Sequence, residues 1–242
     1  MLARAEDAPP PAAAEPAAQA GAADAADAAD AGARPDGRDS GGIPALSPEA
    51  RDAAAAGMAA FRSGDFGSAA MRFRRMLALA PEHPVALVNL ATAEYQLGNA
   101  AEAEQLLRKS LRIKPDAPEV WSKLGIILLT DGRPRAALAA LARATELEPR
   151  NPRARNYLGT TLAELGWLQG AEAELRRAIE LDEGYAEAHF NLALVYLQRN
   201  PPPLELARRH YRESLRLGGG PDQLVERRLA GNPPAPAEEA AE

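Results

Sequence analysis

PEVWSKLGIILLTDGRPRAALAALARATELEPRN, residues 118–151, decides the fold. Pro118 opens the stretch as a helix-compatible first-turn residue, since its missing N–H would have no partner there in any case. Trp121, Leu124, Gly125 and Leu128 then recur at i, i+3, i+4 and i+7, the spacing of one helix face. Gly132 interrupts them, and glycine readily takes the left-handed conformation that ends a helix. Ala137, Leu141, Ala144 and Leu147 set up a second stripe before Pro149 stops it. The segment reads as two amphipathic helices joined by a tight turn. Its small residues let the helices approach and its large ones fill the space between them.

Working outward, the same unit recurs every 34 residues. Pro81, Pro115 and Pro149 are 34 apart, as are Pro84, Pro118 and Pro152. Gly64, Gly98, Gly132 and Gly166 repeat in step, and Asn200 continues them as a helix end. Gly57, Ala91, Gly125, Gly159 and Ala193 are always small, while Phe73, Leu107, Leu141 and Leu175 are always large. Ala69, Ala103, Ala137 and Ala171 form a further series, and Leu90, Leu124, Leu158 and Leu192 another. Ser47 followed by Pro48 marks the start of order, a helix N-cap before a first-turn proline.

This pattern resembles the tetratricopeptide repeat, a 34-residue helical hairpin, on Trp121, Leu124, Gly125, Leu128, Ala137, Leu141, Ala144 and Pro149. Five units follow: 50–83, 84–117, 118–151, 152–185 and 186–221, with a capping helix at 222–230 and the whole repeat domain at 47–230. The resemblance implies an all-α, right-handed superhelical solenoid. Two departures stand out. Ala53 and Ala60 replace bulky residues in the first unit, which predicts weak packing of its first helix. Asn200-Pro201-Pro202-Pro203 lengthens one turn by two residues, with Ala207 and Tyr211 as the displaced alanine and aromatic. In the cap, Leu224, Val225 and Leu229 are expected to cover the last unit, with Arg227 and Arg228 facing water. Terminal repeats need such a cover.

Both ends differ in composition. Residues 1–46, with Pro9-Pro10-Pro11 and an Ala-Ala-Asp triplet at 22–30, and residues 231–242 are expected to be disordered tails, too poor in large apolar side chains to offset chain entropy. The net charge of −6 divides as −5 over 1–47, +2 over 48–221 and −3 over 222–242. A near-neutral body gives no electrostatic reason to bind nucleic acid. No apolar run is long enough for a membrane span. Cytoplasmic location is the default expectation. Ala3 and Ala5 also fit the end of a truncated signal peptide, which would place the protein in the periplasm or otherwise outside.

The chain has no cysteine and three histidines. His83, at a repeat boundary, is expected to be exposed. His189 reads as a packing residue, and His210 lies among Arg208, Arg209 and Arg212. Their spacing matches no metal motif. Glu102 with Glu104, and Glu172 with Glu174, point in different directions on a helix and recur by unit, which reads as a solvated face. Arg72, Arg74 and Arg75 are expected to be solvated beside neighbouring glutamates. No enzyme, cofactor or metal is indicated.

The resemblance implies a peptide-binding groove lined at unit positions 2, 5, 9 and 12 of each first helix. Here the candidates are Met58, Phe61, Val85, Val88, Thr92, Tyr95, Ser122, Ile126, Leu129, Arg153, Asn156, Thr160, Phe190, Leu194 and Leu197. Met58, Phe61, Val88, Tyr95, Ile126, Leu129, Phe190 and Leu197 are expected to expose apolar area, the usual mark of an interface. Helix-to-helix packing competes for Ile126 and Leu129. The lysines of a carboxylate clamp are missing at positions 5 and 9, so an amphipathic helix or extended apolar peptide suits the groove better. The implied function is a non-catalytic scaffold or adaptor for a protein or peptide. The alternatives are a homodimerising module and a recognition subunit of an enzyme complex.

Overall fold

A computed structural model describes residues 46–231. The expectations for residues 1–45 and 232–242 lie outside the described residues. Eleven helices and no strands are found among them: α1 (Pro48–Arg62), α2 (Phe66–Leu79), α3 (Pro84–Gln96), α4 (Ala100–Ile113), α5 (Pro118–Thr130), α6 (Pro134–Leu147), α7 (Pro152–Glu164), α8 (Leu168–Leu181), α9 (Ala186–Gln198), α10 (Leu204–Arg216) and α11 (Gln223–Leu229). Side chains that satisfy first-turn N–H groups set several starts. Ser47 accepts from the Ala50 N–H at 3.2 Å, and Asn151 from the Ala154 N–H at 3.0 Å. The turn at Gly132 closes α5 in the left-handed region, φ 68°, with the Arg133 N–H donating to the Leu128 carbonyl at 2.9 Å.

The described residues form two compact bodies, 46–149 and 150–231. In the first, α1 pairs with α2, α3 with α4 and α5 with α6, while α2 packs on α3 and α4 on α5. In the second, α7 pairs with α8 and α9 with α10; α8 and α7 pack on α9, and α11 lies against α9 and α10. The small-residue series explains how each hairpin closes. A Cβ on Gly57 would sit 2.6 Å from the Phe73 ring, and one on Gly159 2.7 Å from Leu175 Cγ. At Gly125 it would collide with Leu141. The missing side chain is what lets the large residue of the second helix reach the first.

Several expectations need correcting. The first helix is not loosely packed: Met58 and Phe61 are buried with Ala69, Phe73 and Leu90, supplying the bulk absent at Ala53 and Ala60. His83 is buried at the N-terminus of α3. In the lengthened turn, α9 ends on extended backbone at Arg199 (ψ 155°). Ala207 and Tyr211 are buried in α10, as their displaced register requires. In α11, Val225 and Leu229 are buried, but Arg228 does not simply face water: it donates to the Leu197 carbonyl at 2.6 Å. Arg208 donates to the Leu229 carbonyl at 2.6 Å, so the cap is held by guanidinium–backbone bonds as well as apolar cover.

Candidate functional site

The candidate groove residues separate by burial. Met58, Phe61, Ile126, Leu129 and Leu197 are buried, so they do not offer the exposed apolar area expected of them. The reason is packing within each body. Met58 and Phe61 join the core cluster that includes Leu90 and Ala93 of α3, and Leu197 joins one with Val225 and Leu229 of α11. A hollow of about 10 Å³ between Met58, Phe61, Phe73, Asn89 and Thr92 has room for about one water.

The polar candidates are largely satisfied at home. Thr92 donates to the Val88 carbonyl at 2.9 Å and Thr160 to the Asn156 carbonyl at 3.0 Å. Asn156 is buried; it accepts from Asn191 at 3.0 Å and donates to the Tyr185 hydroxyl at 3.4 Å. Tyr95 shares a hydrogen bond with Thr130 at 3.1 Å. Arg153 and Ser122 are half-buried, and the Ser122 hydroxyl finds no partner among the described residues.

What stays open is a narrow stripe. On α3 every residue from Pro84 to Tyr95 is buried except Val85, Val88 and Tyr95. On α9 Glu187 is half-buried, and Phe190 and Leu194 are the half-buried residues within an otherwise buried run from Ala188 to Leu197. Val85 with Glu187 and Val88 with Phe190 fall at equivalent unit positions, whereas Tyr95 corresponds to the buried Leu197 and Leu194 to the buried Thr92.

Around these helices lie polar seams that the repeat pattern alone did not reveal. Glu94 is wholly buried, receiving Arg74 at 2.6 Å and Asn99 at 2.8 Å. It is the one charged residue in α3, and that isolation was the available signal. Glu104 is buried between Arg108 at 2.5 Å and Arg133 at 2.7 Å. Glu172 receives Arg176 at 2.8 Å, Arg199, and the Tyr196 hydroxyl at 3.0 Å. Glu104 and Glu172 are therefore structural ion-pair partners, not members of a solvated face, whereas Glu102 remains exposed. Arg74 does pair with neighbouring glutamates, Glu94 and Glu102. In α9, His189 meets His210 of α10 with their Nδ1 atoms 3.0 Å apart. Burial pushes both imidazoles below the usual range, His210 to about 4. Among the described residues, no three His, Asp or Glu side chains gather as a metal site.

Residues 60–127 match a tetratricopeptide repeat family model, and residues 122–186 match a second one. The chain belongs to the tetratricopeptide repeat family. Solved tetratricopeptide-like structures agree in fold. MamA from Desulfovibrio magneticus RS-1 superposes with a TM-score of 0.65 at 20% identity, covering 72% of this chain and 97% of that one. For pilF of Pseudomonas aeruginosa the values are 0.66, 23%, 76% and 84%. YrrB, described as a tetratricopeptide protein with an unusual peptide-binding site, gives 0.58, 23%, 72% and 87%. At these identities the likeness shows the fold, an all-α tetratricopeptide solenoid. No curated protein matches the sequence at a significant level. The tetratricopeptide fold supports a protein–protein interaction scaffold in general, and its members are generally non-catalytic. No helix among the described residues is long and apolar enough to cross a membrane.

Proposed function

We propose that this tetratricopeptide protein is a scaffold that holds an apolar peptide or amphipathic helix of a partner protein along the open side of its first helices. The observation that carries this is the stripe on α3, where Val85, Val88 and Tyr95 alone escape burial along Pro84–Tyr95. Apolar side chains held half-open on a rigid helix fit the helix-in-groove mode, which reads anchors at i, i+3, i+4 and i+7. On α9 the half-buried Phe190, at the position equivalent to Val88, and the half-buried Leu194 support the same reading. So does the fold shared with YrrB, itself described as binding peptide. The missing clamp lysines favour apolar recognition over capture of a terminal carboxylate.

A displayed random-peptide library tests this. Peptides selected on the protein carry an apolar stripe, bind the wild type, and lose at least tenfold in affinity for Val88→Glu and Tyr95→Glu variants with unchanged helical circular dichroism. Ile113→Glu, at an exposed site outside the stripe, leaves binding intact. Equal binding to all three variants would refute the groove.

A further inference from the structure

Two histidines from sequence positions 21 residues apart face each other inside the second body. His189 is buried on α9, and His210 is half-buried on α10. Their Nδ1 atoms stand 3.0 Å apart and their ring centroids 5.2 Å apart. At that separation one Nδ1–H donates and the other Nδ1 must be bare, whichever ring carries the proton. When both rings are cationic every ring nitrogen carries a proton, so the Nδ1 acceptor is gone and two positive charges are in contact. We propose that the His189–His210 pair is an acid-sensitive latch: while one ring stays neutral and offers a bare Nδ1 it ties α9 to α10, and protonation of both rings opens that seam.

The surroundings give the second proton little relief. From α8, Arg176 bears on His210 with a like charge, opposed by Glu172. Those two are already committed, Arg176 donating to the Tyr196 hydroxyl at 3.0 Å and Glu172 receiving Arg176 and Arg199. From α10, Arg209 disfavours a proton on either ring and Arg216 disfavours one on His189. Glu213 favours a proton on His189 but is held by Arg216 at 2.5 Å, and the Glu183 backbone before α9 favours it too. From α9 itself, the Tyr196 ring lies 5.8 Å from the His210 ring and adds no charge at neutral pH.

The direction follows by linkage. In the unfolded chain each imidazole takes its proton near pH 6.5, whereas in the fold His210 is pushed down to about 4, by burial first and then by His189, Arg209 and Arg176. Burial lowers His189 as well. The unfolded state binds more protons between those limits. The contribution of the seam to stability is therefore complete above about pH 6.5 and is lost as pH falls toward 4. Phe190 and Tyr211, the chain neighbours of the pair, meet at a 51° tilt with centroids 6.3 Å apart, so opening the seam also displaces the half-buried residues of α9. That last consequence alone rests on the groove reading.

Imidazole NMR of the full chain between pH 8 and 4 tests the latch without any ligand. The expected result is that His210 takes up its proton well below pH 6.5, and that amides of α9 and α10 shift or broaden in the same step. Imidazoles of His189 and His210 that titrate independently near 6.5, with those amides unmoved, would overturn it. Thermal melts give a second reading. Between pH 7 and 5 the wild type loses a few °C more than the His189→Gln, His210→Gln double variant, for a seam contributing about 1–2 kcal/mol. Equal losses count against the latch, and the NMR titration of the wild type decides if the variant does not fold.

Discussion

The first helices α3 and α9 lie three repeats apart and are buried to a similar extent, yet their seams are built from different chemistry. Arg74 reaches the wholly buried Glu94 on α3 at 2.6 Å; Arg176, at the equivalent position 102 residues on, reaches Tyr196 on α9 at 3.0 Å. Leu87 occupies on α3 the position that His189 occupies on α9. Allowing for the two-residue insertion at 200–203, Leu106 stands where His210 stands. One slot holds a carboxylate beside an apolar pair, and the other a phenol beside an imidazole pair. The repeat thus fixes where a side chain points and leaves open what it does there. The seam on α9 responds to pH in the range where histidine titrates.

The strongest way to break the parallel is to cut equivalent core residues. Leu141 in the first body and Leu175 in the second are both fully buried against a glycine of the facing helix. Leu141→Ala and Leu175→Ala are each expected to cost about 2–5 kcal/mol in urea unfolding. Strongly unequal losses would show that the two hairpins are not equivalent in packing.

Next in size are the polar seams. Glu94→Ala removes the acceptor of Asn99 and the nearer of the two carboxylates that pair with Arg74, and is expected to destabilise the first body by about 1–3 kcal/mol. Tyr196→Phe deletes only a hydroxyl, because Arg176 keeps Glu172 as a partner at 2.8 Å; its cost is expected near 1 kcal/mol. Chemical denaturation of both variants orders the two seams.

The comparison sharpens further if the second seam is made to resemble the first. His189→Leu with His210→Leu restores the residue types found at 87 and 106, and is expected to remove the excess loss of melting temperature between pH 7 and 5, a shift of a few °C. The smallest effect belongs to the outer surface. Met71 and Trp167 are each more than half exposed, and alanine at either is expected to change stability by less than about 0.5 kcal/mol in the same assay.

The fold was legible because a 34-residue period imposes the same local rule many times. Pro118, Gly125, Gly132 and Leu141 each have counterparts that agree with them, so a single aberrant residue such as Ala53 could not obscure the pattern. The candidate groove was legible only as a set of positions. The family spacing selects Met58, Phe61, Ile126, Leu129 and Leu197, but these are buried, while Val85, Val88 and Phe190 remain partly open. Spacing tells which residues share a helix face. It does not tell how closely neighbouring elements of the same body approach that face. Glu104 and Glu172 show the same limit, since their recurrence by unit suggests solvation and each is instead paired with an arginine of the next unit.

The sequence by itself determined the hairpin, its length, its turns and the identity of the residues that close it. Those depend on contacts within a few helical turns and on backbone preferences of proline and glycine. Only the tertiary structure decided which polar side chains meet: Arg74 with Glu94, Asn156 with Asn191, His189 with His210. Such pairs join residues 20 to 35 apart, where the outcome turns on distances of a few tenths of an ångström set by the packing of whole helices.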